Sequence, residues 1–87
     1  MQKNDFIKQQ TIEVIDANEK LRRFSELYSF TDRETEVFEQ LVNTEDSIQV
    51  IAENIYVSKR TLERYVSAIY EKTGVKSRIG LLNLYNK

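Results

Sequence analysis

Apolar residues recur at helical spacing along most of the chain and predict helices joined by short polar breaks. Ile48, Ile51, Ala52 and Ile55 fall at i, i+3, i+4 and i+7, one face of a helix, with Ser47 just ahead as its N-cap. The pattern breaks at Tyr56-Val57, and Ser58 offers a second N-cap. From there Leu62, Val66, Ile69 and Thr73 mark one face, while Arg60, Glu63, Arg64, Ser67 and Glu71 run along the opposite one. Gly74 is well placed as the left-handed residue that ends this helix. A short helix, a tight turn and a second helix with a polar, partly basic outer stripe form a helix-turn-helix signature. In such a unit the outer stripe is what faces base edges.

The flanking elements carry equally plain punctuation. Thr31 and Glu34 form a capping box, and Phe30 ahead of it can pack on Thr35 or Phe38 as a hydrophobic staple. Val37, Phe38 and Leu41 then supply a core stripe, and residues 43–46 are a polar break. This segment reads as scaffold. Ser77 caps a final helix through about Tyr85, with Ile79, Leu81, Leu82 and Tyr85 as its apolar flanks. Gly80 inside that helix costs about 1 kcal/mol relative to alanine, so close packing or a contact surface is expected there.

Residues 5–28 read as one long N-terminal helix. Ile7, Val14, Leu21 and Tyr28 recur every seven residues, with Gln10, Ala17 and Phe24 at the companion positions. Phe6, Ile12, Ile15 and Leu27 fall off that seam. The pattern fits a dimerising coiled coil; it fits equally a helix that packs on the domain or on another neighbour.

Composition narrows the class. Eighty-seven residues bury roughly 60% of their unfolded surface, enough for one modest core. There is no Pro, Cys or His, which favours an all-helical chain, excludes a disulfide framework and leaves no His or Cys ligand for a metal. No apolar run is long enough for a bilayer-spanning helix, and the N-terminus lacks a signal-peptide layout, so a cytoplasmic setting without membrane contact is expected.

The formal net charge of −1 conceals a split. Residues 1–55 hold six basic and twelve acidic side chains, whereas residues 56–87 hold seven basic ones against only Glu63 and Glu71. Segregation of this kind steers one face toward phosphate; it also describes an ordinary solvated surface that happens to cluster.

The stretch Phe30-Thr31-Asp32-Arg33-Glu34-Thr35-Glu36-Val37 resembles the opening of the LuxR-type (GerE-like) helix-turn-helix domain. The resemblance continues without a gap through Ile51-Ala52, Val57–Leu62 and Lys72–Arg78, so that it covers residues 30–85. It implies an all-α fold: a four-helix LuxR-type helix-turn-helix domain over residues 30–87, preceded by a long N-terminal helix in residues 1–29. It implies a transcription regulator's output domain that binds double-stranded DNA. Its fourth helix often serves as a dimer contact, so a homodimer through that helix, the N-terminal helix or both is expected. Such domains usually follow a receiver, ligand-binding or membrane sensor module, and the chain reads as a free-standing regulator or as the output part of a longer one.

Site roles follow residue by residue. Arg64, exposed one turn into the second helix of the pair, can bond guanine O6 and N7 as a bidentate pair. Its competing role is a phosphate clamp or a partner of Glu63 or Glu71. Glu63 stands where the family commonly has Lys; it can accept from cytosine N4, pair with Lys59 or Ser67, or mark a unit that has given up DNA. Ser67 can bond a base or a phosphate. Lys59, Arg60 and Thr61 cluster at the helix start, where backbone N–H groups already attract phosphate oxygens. Lys72, Lys76 and Arg78 are further phosphate candidates. The resemblance implies that Arg78 is structural, pairing with a carboxylate such as Glu36. Tyr65 replaces the family's usual His, Thr73 its Leu, and Glu45 its glycine.

Two further classes compete with DNA binding. A protein-interaction module that keeps the helix-turn-helix shape would explain Glu63 and the acidic body. An enzyme would need an activated nucleophile that is hard to build without His or Cys, so no catalytic residue, cofactor or metal is expected.

Overall fold

The computed structural model describes residues 16–87, and among them the chain is helical with no strand. Helix α1 covers residues 16–27. It is followed by α2 (Asp32–Asn43), α3 (Ile48–Asn54), α4 (Lys59–Thr73) and α5 (Arg78–Tyr85). The heptad residues Ile7, Gln10 and Val14, with Phe6, Ile12 and Ile15, lie outside the described residues.

Every expected cap is in place. Thr31 Oγ1 accepts from the Glu34 N–H at 3.2 Å while Glu34 Oε1 accepts from the Thr31 N–H at 2.8 Å, completing the box. Ser47, Ser58 and Ser77 each accept from the backbone N–H three residues on. Gly74 closes α4 in the left-handed region at φ 78°. Helix α3 ends in the same way without a glycine: Tyr56 is left-handed at φ 60°, and the Val57 N–H reaches back to the Ala52 carbonyl at 3.0 Å. Ser29 does so after α1, at φ 57°.

The core draws on all four domain helices. Val37, Phe38 and Leu41 from α2 meet Ile51, Ala52 and Ile55 from α3 and its cap, Leu62 and Ile69 from α4, and Leu81 from α5. Helix α2 packs on α4 and α5, and α3 packs on α4. Burying each large apolar side chain contributes about 1.5–3 kcal/mol, and that burial, with little from propensity, holds helices as short as α3 in place.

Helix α1 shares this core. Phe24 stacks on the buried Phe38 and meets Tyr85 edge-on, with ring centroids 4.8 and 5.0 Å away. Lys20 Nζ lies 4.3 Å from the centroid of the Tyr85 ring, and it donates to Asn86 Oδ1. Leu21 packs on the same cluster, whereas Ala17 and Leu27 are exposed. Of the two arrangements open to the heptad positions, Leu21 and Phe24 adopt packing on the domain. Phe30 sits on Phe38 at 5.4 Å, so the staple closes on that ring. Thr35 turns instead to the hydroxyl of Ser25.

Gly80 is explained by close approach. A Cβ there would stand 3.2 Å from Ser77 Oγ, the atom that caps α5. No helix among the described residues is long and apolar enough to cross a membrane.

Candidate nucleic-acid interface

Helix α4 divides cleanly by burial. Leu62 and Ile69 are fully buried, and Val66 and Thr73 are half-buried beside them. Arg60, Glu63, Arg64, Ser67 and Glu71 are all exposed on the opposite side. Thr73, at a position where the apolar face continues, satisfies its hydroxyl on the Ile69 carbonyl at 2.8 Å.

The outer stripe is unengaged. Five ion pairs occur among the described residues, and they involve Glu19, Arg22, Arg23, Glu26, Arg33, Glu34, Glu36 and Lys72. Lys59, Arg60, Glu63, Arg64 and Lys76 take part in none of them, nor in any side-chain hydrogen bond among these residues. Glu63 is therefore paired with neither Lys59 nor Ser67. Thr61 accepts from the Ser58 hydroxyl at 3.0 Å, so the cap orders the first turn of α4. Lys59 and Arg60 stand in that turn, where the helix leaves its unpaired N–H groups. The stripe thus presents two guanidinium groups, two carboxylates (Glu63 and Glu71) and the Ser67 hydroxyl on a backing fixed by the buried Leu62 and Ile69. Such groups can meet a polyanion without first breaking an internal pair.

Two basic residues expected at or near this surface are engaged elsewhere. Lys72 Nζ lies 2.5 Å from Glu34 Oε1 and 2.9 Å from the Ser29 carbonyl oxygen. Its ammonium thus points at the α1–α2 junction. Burial opposes ionisation of Glu34, but the bonds from Lys72 and from the Thr31 N–H outweigh it and hold the carboxyl below the usual glutamate range.

Arg78 does not pair with Glu36. The guanidinium donates to the carbonyl oxygens of Leu41 at 2.8 Å, Thr44 at 2.6 Å and Asp46 at 2.5 Å. Glu36 is held instead by Arg33 in the same helix at 2.9 Å. The physical reason is that α2 ends without a basic residue in its last turn, so its terminal carbonyls need an outside donor. Arg78 supplies it and shapes the Glu45 turn that enters α3.

Arg33 carries a role that nothing local in the sequence signals. Its Nη2 donates to the Ile55 carbonyl at 3.3 Å, and Glu36 foremost, with the Tyr65 hydroxyl as a lesser cause, favours its charged form. It joins α2 to the turn of the helix pair. Ile79, one of the expected apolar flanks of α5, is 73% exposed. With Leu82 it lines an open groove against Leu41 and Val42 of α2. No group of three or more carboxylates among the described residues could hold a metal ion.

Residues 28–85 match the family described as bacterial regulatory proteins, luxR family. The match spans two thirds of the chain and takes in α2 through α5, leaving α1 outside it. No curated protein and no solved structure matches the chain.

Proposed function

Since the chain belongs to the luxR family of bacterial regulatory proteins and carries that family's DNA-binding helix-turn-helix domain, we propose that it regulates transcription by placing α4 in the major groove. Arg64, Glu63 and Ser67 read base edges in this account, Arg64 on guanine and Glu63 on cytosine N4. Lys59, Arg60, Thr61 and Lys76 hold the phosphate backbone on either side.

The observation that carries the reading is the unengaged outer stripe of α4. Its basic groups are exposed and unpaired, whereas the four other arginines are each tied to a carboxylate or carbonyl. Two copies are expected to bind an inverted repeat, joined through the exposed Ile79 and Leu82 face of α5, with α1 as a further contact. The setting is the cytoplasm, where the chromosome is, and the role is binding without catalysis.

One feature favours a second reading. Glu63 is an unpaired carboxylate in the middle of the stripe, and it suits a protein-interaction module that has given up DNA. Fluorescence anisotropy on a mixed-sequence duplex over a salt series separates the two. Neutralising about six phosphates gives a log–log slope near −5. Absence of binding at low salt favours the protein-interaction module.

A further inference from the structure

Lys72 stands in the last turn of α4, one residue beyond Glu71 and so about 100° round the helix from the outer stripe. Its ammonium joins three elements at once. Glu34, only 6% exposed, belongs to the first turn of α2, and its carboxylate also accepts from the Thr31 N–H. The Ser29 carbonyl belongs to the left-handed residue that follows α1. Both acceptors lie about forty residues earlier in sequence, at separations of 38 and 43.

Elsewhere α4 is held by apolar packing: Leu62 and Ile69 are fully buried, and Tyr65, Val66 and Tyr70 pack half-buried beside them. Apolar packing is non-directional, so it sets the roll of a helix about its own axis less sharply than a directional contact does. A charge-assisted hydrogen bond is directional. Placed off the packing line, it fixes the roll. Arg64 lies eight residues before Lys72, about 12 Å along the axis, so any roll set at Lys72 is carried to the reading groups.

We infer that Lys72 is a positioning residue: with Glu34 and the Ser29 carbonyl it sets the roll of α4, and so the aim of Arg64, Glu63 and Ser67, and it does not contact phosphate. The inference rests on the DNA reading proposed above. It also makes the end of α1 part of the mount on which the reading helix sits.

The test uses the full chain, a duplex selected from a random pool by the wild-type protein, and a scrambled duplex of equal composition. Two variants are compared, Lys72→Met and the near-isosteric Glu34→Gln, each checked for a folded circular dichroism spectrum at the binding temperature. Positioning predicts that either variant loses about tenfold in affinity for the selected duplex. Affinity for the scrambled duplex, and the salt slope on both, stay as in the wild type.

A phosphate contact predicts otherwise. Lys72→Met then weakens both duplexes alike and flattens the slope by about one unit, and Glu34→Gln, by freeing the ammonium, tightens both. That outcome overturns the inference and leaves the DNA reading standing. Loss of folding in Lys72→Met shifts the decision to Glu34→Gln, whose two predicted effects are opposite in sign. A wild-type chain that selects no duplex overturns both.

Discussion

The rings of Phe24 and Phe38 stack 4.8 Å apart with their planes 17° from parallel, one from α1 and one from the centre of the domain core. Phe38 has no exposed surface, so Phe24 completes the packing around it. Helix α1, which lies outside the family match, is thereby built into the domain.

Truncating that contact should be costly. Phe24→Ala is expected to destabilise the chain by about 2–3 kcal/mol, less than for a fully buried ring because Phe24 is half-buried. Denaturant unfolding measures the change. A loss under about 0.5 kcal/mol, the range of ordinary surface changes, would show that α1 does not stay on the domain in solution.

Arg78 makes a similar demand on geometry. Its planar fork reaches carbonyls of Leu41, Thr44 and Asp46, which a compact ammonium cannot match. Arg78→Lys should therefore cost about 2–3 kcal/mol although the charge is kept. Equal midpoints for variant and wild type in urea would contradict the capping role.

Glu34 predicts a pH dependence. Its folded pKa lies below the ordinary value, so its contribution is fully present above about pH 4.3 and is lost as pH falls through the lowered folded value. At neutral pH the wild type should exceed Glu34→Gln by about 1–3 kcal/mol. Thermal unfolding should show the two curves converging in acid below that point. A gap that stays constant from pH 7 to pH 3 would mean the carboxylate is not the source.

The roles along α4 can be told apart by substitution. Arg64→Ala should lower affinity and blunt sequence preference by about 1–3 kcal/mol at one base pair, whereas Lys59→Ala should weaken all duplexes alike. Glu63→Lys should tighten non-specific binding. Competition binding with selected and scrambled duplexes reads all three. Matching profiles for the Arg64 and Lys59 variants would undo the assignment.

What could be read from sequence was whatever is settled locally. Thr31, Glu34, Ser47, Ser58, Gly74 and Ser77 act on backbone groups within a few residues, and each was legible. The outer stripe of α4 was legible too, since burial of Leu62 and Ile69 leaves it only one way to face. The partners of Lys72 and Arg78 were not, because they arise where α4 and α5 cross the ends of α2, more than thirty residues away. A basic residue on an exposed helix offers no local sign of which carbonyl it will meet. Nor does a heptad pattern tell an intramolecular neighbour from a second copy, which is why Phe24 had two open readings. Tyr56 was hidden for a different reason: its left-handed turn carries none of the glycine that marks Gly74.

The most direct test of the central claim is an amide NMR titration of the labelled chain with a mixed-sequence duplex at low salt, where contacts of about 10⁻⁴–10⁻⁶ M are visible. The account predicts shifts concentrated on residues 58–71, strongest along Arg60, Glu63, Arg64 and Ser67. Silence along that stripe, with or without shifts elsewhere, would contradict it.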